Sequence, residues 1–500
     1  MIVLKLHSTV SFCQQYFSGC TCLLLLCLVF CTTNTTAGDK PFVDDIESSL
    51  SASLKALDVQ QAPVVDNIVI SGNNKTKTPI ILREAPFTIG DTLALDNLSD
   101  VLQRTKNNIK NTSLFKDVSL NVKKSGKNAI TVHIDVNERW YIYPIPIFQL
   151  ADRNFNVWWR DYNHDFSRTV YGLKYIQNNL TGRGDRLKVV AARGYKEKYW
   201  LEYKRPYIDR QKRFGLELDA KFEQTKELAY DSEENELERH KSNDFLQQYY
   251  EGTAIVSYRN KMHQTHDLSV GYRQVSIKDT IKELNPSYFG NDKSAQKYFS
   301  IGYNYELDTR DRQSYPLQGV YFNAHAIKRG LFAFQNLNSF QLDTRYSHHF
   351  DLGNKFYFSH DLGTKLSLSK QKLYYRQPGL GYENFFVRGY EYYVMDGQFI
   401  ALGKFELKHK LFSFKINNTD LININHFNNP PLKFFLKSYV DAGYVKDNFF
   451  YKNNPLNNHF LTGAGVGVDM VTYYDLSVRF EYSVNLLKEH GFFVHLQQKF

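Results

Sequence analysis

Phe214-Gly215-Leu216-Glu217-Leu218-Asp219-Ala220-Lys221-Phe222 alternates apolar and charged side chains at every step after its glycine. Successive side chains of an extended chain point to opposite faces. Phe214, Leu216, Leu218, Ala220 and Phe222 therefore make one wall, and Glu217, Asp219 and Lys221 the other. The same period recurs at 299–307, where Phe299, Ile301, Tyr303, Tyr305 and Leu307 oppose Ser300, Asn304 and Glu306. It recurs again at 476–484, with Leu476, Val478, Phe480, Tyr482 and Val484 against Ser477, Arg479, Glu481 and Ser483. In the last stretch Phe492, Val494, Leu496 and Phe500 share a face. From about Tyr141 onward the pattern holds to the end of the sequence. It accommodates about sixteen strands, at roughly 22 residues per strand and connection, an ordinary density for an even-numbered barrel. A polar face along every strand, opposite an aromatic one, predicts an antiparallel transmembrane barrel with lipid outside and a polar lumen. A propeller would show a fixed repeat, which is absent. A soluble sandwich would not carry outward faces this aromatic.

Composition points the same way. The chain holds 35 Tyr and 37 Phe but only 4 Met, and its mean hydropathy is −0.46. A helical membrane protein needs apolar runs of roughly 20 residues, and none follows the N-terminus. The five cysteines (Cys13, Cys20, Cys22, Cys27, Cys31) all fall in the first stretch. Residues 1–37 read as a secretory signal peptide: Lys5 supplies the positive region, Leu23–Phe30 the apolar core, and Thr35-Thr36-Ala37 a small-residue cleavage site. A retained anchor is the alternative, against which the apolar run is short. Bulky Phe30 argues against lipidation at Cys31. The remaining chain has no thiol, which suits an oxidising compartment. The net charge of +10 is dispersed rather than clustered, so a nucleic-acid partner is not expected.

Residues 38–62 are polar and read as a linker. Residues 63–139 then follow the order strand, helix, helix, strand, strand. Asn67–Ile70 begins it, Thr78-Pro79 starts a helix with proline in the first turn, and Leu95, Leu98, Val101 and Leu102 share a helical face. Val118–Val122 and Ile130–Val136 alternate as strands around the polar turn at 123–127. The barrel would occupy 140–500. Its long connections fall near 223–245, 276–295, 366–397 and 445–460. Short ones fall near Arg259–Met262, Leu352–Asn354 and Thr472-Tyr473. Long and short connections on opposite sides are usual in bacterial barrels. The Asn-rich stretch 412–431 breaks the rule, being long where a short turn is due.

Several short motifs carry a resemblance. Ile70-Ser71-Gly72-Asn73, the stretch Thr112–Val118 containing Leu114-Phe115, and Val136-Asn137-Glu138-Arg139 lie in the order seen in POTRA domains. Leu180-Thr181-Gly182-Arg183-Gly184-Asp185 resembles a barrel turn of the Omp85 superfamily. So do Asp308-Thr309-Arg310-Asp311 with Tyr315–Gly319, Phe386-Val387-Arg388-Gly389-Tyr390, and Val440-Asp441-Ala442-Gly443. The likeness runs over nearly all of the sequence after residue 62. It implies an all-β transmembrane barrel preceded by one small α+β POTRA domain, located in a bacterial outer membrane with the POTRA domain in the periplasm. Val387, Arg388, Gly389 and Tyr390 fall in the loop between the eleventh and twelfth strands, which the resemblance folds back into the lumen.

An arginine in a lumen needs acceptors to offset its lost hydration. Glu406 on the next strand and Asp441 on the one after are the candidate partners of Arg388. Its alternative is an exposed position in an external loop. The barrel must close where the first strand (Tyr143, Pro144, Pro146) meets the last (Phe492, Phe500). Prolines donate no ladder hydrogen bond, so a weak seam is expected there. Phe500 also suits an interfacial girdle, and the resemblance makes it part of an assembly signal.

No G-x-S-x-G, P-loop or H-E-x-x-H pattern occurs. His348 and His349 would face opposite ways. The chain is therefore expected to be no enzyme, with no metal and no cofactor. The resemblance implies an insertase or translocase whose partners are unfolded outer-membrane or surface protein clients, the lipid bilayer, and accessory periplasmic or lipoprotein subunits. A passive pore or receptor barrel is the alternative.

Overall fold

The computed structural model describes residues 62–150, 165–259, 261–290, 292–331, 337–369, 373–382, 385–415, 431–472 and 476–498. The expected signal peptide, nearly all of the linker and Phe500 lie outside them.

The first unit runs β1 (Val64–Ser71), α1 (Thr78–Leu82), α2 (Leu95–Asn111), β2 (Phe115–Lys124) and β3 (Ala129–Glu138). β3 is the central strand, parallel to β1 and antiparallel to β2. On β3 the side chains of Ile130, Val132, Ile134 and Val136 are buried, every second residue. They pack with Leu98, Leu102 and Ile109, one face of α2 at helical spacing. The motif residues hold turns. Gly72 has φ 81, and a Cβ there would lie 1.9 Å from the Val136 carbonyl oxygen. Glu138 accepts from the Thr76 N–H at 2.6 Å and from the Lys75 N–H at 3.1 Å, fixing the turn after β1.

The barrel follows as β4 (Ile142–Leu150), β5 (Thr169–Asn178), β6 (Arg186–Gly194), β7 (Lys196–Arg205) and β8 (Phe214–Thr225). After β8 a separate hairpin, β9 (Glu227–Glu233) and β10 (Glu236–Lys241), rises from the rim. The wall continues with β11 (Gln247–Tyr258) and β12 (Gln264–Ile277), then the short helix α3 (Asp279–Leu284). β13 (Ala295–Asp308), β14 (Gly319–Arg329), β15 (Ser339–Gly353) and β16 (Phe356–Ser369) come next. It ends with β17 (Phe399–Lys415), β18 (Pro431–Lys446), β19 (Phe460–Val471), β20 (Leu476–Asn485) and β21 (His490–Gln498). These form one 16-stranded sheet in sequence order, interrupted only by the external hairpin.

Burial is inverted relative to a soluble fold. Leu218, Leu268, Ile301, Val466 and Val494 are exposed, Val494 at 56%, while Lys437, Asp441, Asp469 and Glu481 on the other face are at 0–2%. Apolar side chains outside and ions inside are what a lipid-facing wall with a polar lumen requires.

Connection lengths alternate less strictly than expected. On the side away from the first unit, β6 and β7 are joined through Tyr195 alone, with Gly194 at φ 115 making the reversal. The stretch 412–431 is shorter as a connection than its sequence indicates. β17 continues to Lys415 and β18 starts at Pro431, with Phe412 paired to Phe434. Residues 416–430 lie outside the described residues.

Candidate functional site

The loop from β16 to β17 returns into the lumen, and Arg388 is caged there. Its Nε and Nη2 donate to Asp441 at 2.8 and 2.6 Å, and its backbone N–H donates to the same carboxylate at 3.1 Å. Nη1 reaches Glu406 at 2.5 Å and Glu481 at 3.2 Å. The Tyr439 ring lies 3.7 Å from the guanidinium. The fork geometry of arginine suits this bidentate grip.

The cage extends beyond the arginine. Lys437 lies 2.6 Å from both Asp469 and Glu481, and Lys408 lies 2.8 Å from Glu406. Tyr315, from the connection before β14, donates to Asp469 at 2.8 Å. Four carboxylates thus face Arg388, Lys408 and Lys437, all three cations being buried in the lumen, where each charge depends on its partners. Val387 is buried with Leu380, Ile400 and Leu461. Gly389 has φ 94, and its carbonyl accepts from Asn485 at 2.7 Å. Tyr390 is buried, its hydroxyl facing the backbone of Leu486 and Thr462.

Space for the loop comes from β19. Gly463, Gly465 and Gly467 occupy its inward face, and a Cβ on Gly463 would lie 1.8 Å from the Arg388 carbonyl oxygen. Neither this glycine face nor Glu481, Lys437 and Asp469 was among the sequence candidates. The alternation does place Glu481 inward beside Arg479, but spacing alone does not say which inward carboxylate meets the loop.

At the opposite end of the lumen the first unit sits on the barrel turns. Thr76 accepts from Asn179 at 2.8 Å, and the Lys77 N–H donates to the Gly182 carbonyl at 2.9 Å. A Cβ on Gly182 would come within 2.3 Å of the Lys75 carbonyl oxygen. Buried Glu84 accepts from Arg259 at 2.7 and 2.9 Å and from the Tyr207 hydroxyl at 3.1 Å. Burial, together with Glu84, pushes the Tyr207 hydroxyl up to about 12. Asn111 at the end of α2 donates to the Arg310 carbonyl at 3.3 Å. Two of the short turn motifs, Leu180–Asp185 and Asp308–Asp311, thus form part of a docking floor.

The seam is the third locus. β4 pairs with β5 and β21 with β20. Among the described residues no backbone pairing joins β4 to β21. Pro144 and Pro146 occupy alternate positions of β4, so both withhold an N–H on the same side of the strand. Tyr143 stands between them and the first unit, its hydroxyl donating to the Trp140 carbonyl. Phe492 on β21 is exposed toward the outside.

Residues 179–398 match the model of the Omp85 superfamily domain. The chain therefore carries an Omp85 superfamily domain. Residues 63–139 of this Omp85 protein match the POTRA model, described as a surface antigen variable number repeat. Among solved structures, CdiB from Escherichia coli is similar with a TM-score of 0.52 at 12% identity, covering 88% of this chain and 77% of that one. BamA from Haemophilus ducreyi lacking POTRA domains 1–3 gives 0.48 at 14% identity, over 87% and 83% of the two chains. The first of these likenesses bears on the fold alone. No curated protein sequence matches. The matched domain makes the barrel one of the bacterial outer-membrane type, and the POTRA unit docks on the turns at 180–185 and 308–311.

Proposed function

We propose that this Omp85 protein assists the assembly or export of other outer-membrane or surface proteins. In this reading an unfolded client adds a strand to an edge of the POTRA sheet and passes to the barrel at the β4–β21 seam. The observation that carries the reading is the seam, where β4 and β21, the two end strands of the sheet, share no backbone ladder among the described residues. Unpaired strand edges bind extended polypeptide through backbone hydrogen bonds. The POTRA sheet offers β1 and β2 as its outer strands, since β3 lies between them. Its contact with the turns at one end of the barrel supports placing it in the periplasm. The work requires no covalent chemistry, so no catalytic group is assigned. Accessory subunits would meet the POTRA surface away from the docking floor.

A passive pore accounts less well for a loop caged by Arg388 across the lumen. Depletion of the protein followed by quantitative proteomics of the outer membrane tests the proposal. Loss of a defined set of barrel or surface proteins is the expected result. An unchanged outer-membrane proteome, with steady conductance from the purified barrel, would overturn it in favour of a pore or receptor.

A further inference from the structure

A small cavity lies where β14, β15 and β16 meet the lumen-returning loop and Phe449 of the next one. Its volume is about 20 Å³, room for one water-sized species. Arg329, Arg376, Ser339, Ser367, Gln341 and Gln377 are among its walls, and no carboxylate lines it among the described residues. Four solvent-excluded atoms of these walls have no hydrogen-bond partner: Nε and Nη2 of Arg376 and the hydroxyl oxygens of Ser339 and Ser367. Dry, unpaired donors are costly, and a guanidinium most of all.

The other polar groups at the cavity are occupied. Gln341 accepts from Arg329 at 3.1 Å and donates to Asp343 at 2.7 Å. The Gln377 side chain accepts from Gln398. Outside the lining, Lys365 donates to the Pro378 carbonyl at 2.5 Å, and Arg273 is paired with Glu251 at 2.9 Å. Arg376 itself rests between the rings of Tyr375 and Tyr298, 4.8 and 5.2 Å away. Burial, and then the Arg273 charge, work against its own charge. The adjoining stretches 332–336 and 370–372 lie outside the described residues and contain no acidic residue.

We propose that this cavity binds one monatomic anion, a halide such as chloride, between Arg376, Arg329 and the hydroxyls of Ser339 and Ser367. A wall that offers donors and positive charge, with its amide acceptors already engaged, selects a species that only accepts. A water fits the volume but brings no charge. The anion ties the loop, through Arg376, to the barrel wall at β15 and β16. This clamp is separate from the Arg388 cage and does not depend on the proposed function.

The test uses the full chain purified in detergent micelles, with thermal unfolding followed in sodium bromide against sodium gluconate at equal ionic strength. Gluconate is too large for the cavity. A saturable rise of the unfolding temperature with bromide is expected, together with an anomalous bromide peak beside Arg376 in crystals. Arg376→Gln should lose the bromide dependence. Ser367→Ala should raise the half-saturating concentration, and it serves as the reporter if Arg376→Gln does not fold. Equal unfolding temperatures in the two salts, or crystals with no bromide peak in the cavity, would overturn the proposal.

Discussion

The wall formed by β17 to β20 and the seam between β4 and β21 belong to one sheet but are held in opposite ways. Along the first, Arg388 binds three carboxylates contributed by β17, β18 and β20, and Lys437 binds two. Along the second, among the described residues, no ladder joins the two strands. A closed barrel stabilises every strand by its two neighbours. Here the ion network ties the loop to β17, β18 and β20, whereas β4 and β21 share no ladder among the described residues. A buried network costs desolvation and contributes chiefly geometry. In this protein the geometry is that of a loop fixed across four consecutive strands.

The comparison breaks most completely at Arg388. Arg388→Ala takes the shared partner from Glu406 and from buried Asp441 and Glu481, and removing one partner of a buried pair costs about 3–5 kcal/mol. The folded barrel should lose its resistance to heating in SDS gels, whereas Arg388→Lys should recover only part of it, lacking the bidentate fork. Gly463→Ala is next. With a Cβ 1.8 Å from the Arg388 carbonyl oxygen, the loop must shift, at about 1–3 kcal/mol, and cysteine labelling within the loop should report its release.

Glu84→Ala acts at the other end. It removes the carboxylate to which Arg259 and Tyr207 donate, leaving Arg259 only the Met262 carbonyl and the Tyr207 hydroxyl, a loss of about 1.5–3 kcal/mol for charged hydrogen bonds. The barrel should stay intact while protease cuts between POTRA unit and barrel faster. The smallest effect concerns Asp396, in the loop near the far rim. Burial raises its carboxyl from 3.8 to about 7, and the Tyr382 hydroxyl donates to it at 2.6 Å. A folded value above the unfolded one means stability present in full below pH 3.8 and lost as pH rises through about 7. Unfolding temperature should therefore fall between about pH 4 and pH 7, and Asp396→Asn should flatten that slope.

What was legible in the sequence follows from period two. Alternation at 214–222, 299–307 and 476–484 assigns strands and faces directly, because lipid and lumen demand opposite side chains. It also puts Glu406 and Asp441 on the inward face. The set Arg388, Glu406 and Asp441 came from that face assignment plus the resemblance of the loop motif. Glu481 escaped because it lies 93 residues from Arg388, and Lys437 escaped because it joins the network through Asp469 and Glu481 rather than through the arginine. The Glu84–Arg259 contact was hidden for the same reason, joining residues 175 apart. The turn near 195 was missed because a single residue after a glycine leaves no loop-like composition to read. The extension of β17 and β18 was masked by the Asn-rich stretch that follows.

A disulfide across the seam tests the central claim most directly, and the absence of cysteine after residue 31 gives a clean background. Single cysteines at 145 and 147 on β4, combined with ones at 492 and 494 on β21, would be oxidised in cells. Client assembly in the outer membrane would be measured before and after reduction. As a control, Val440→Cys with Ala464→Cys joins two strands already paired. The seam cross-link should stop assembly, reductant should restore it, and the control should be silent. Client assembly that continues at full rate through a cross-linked seam would contradict it.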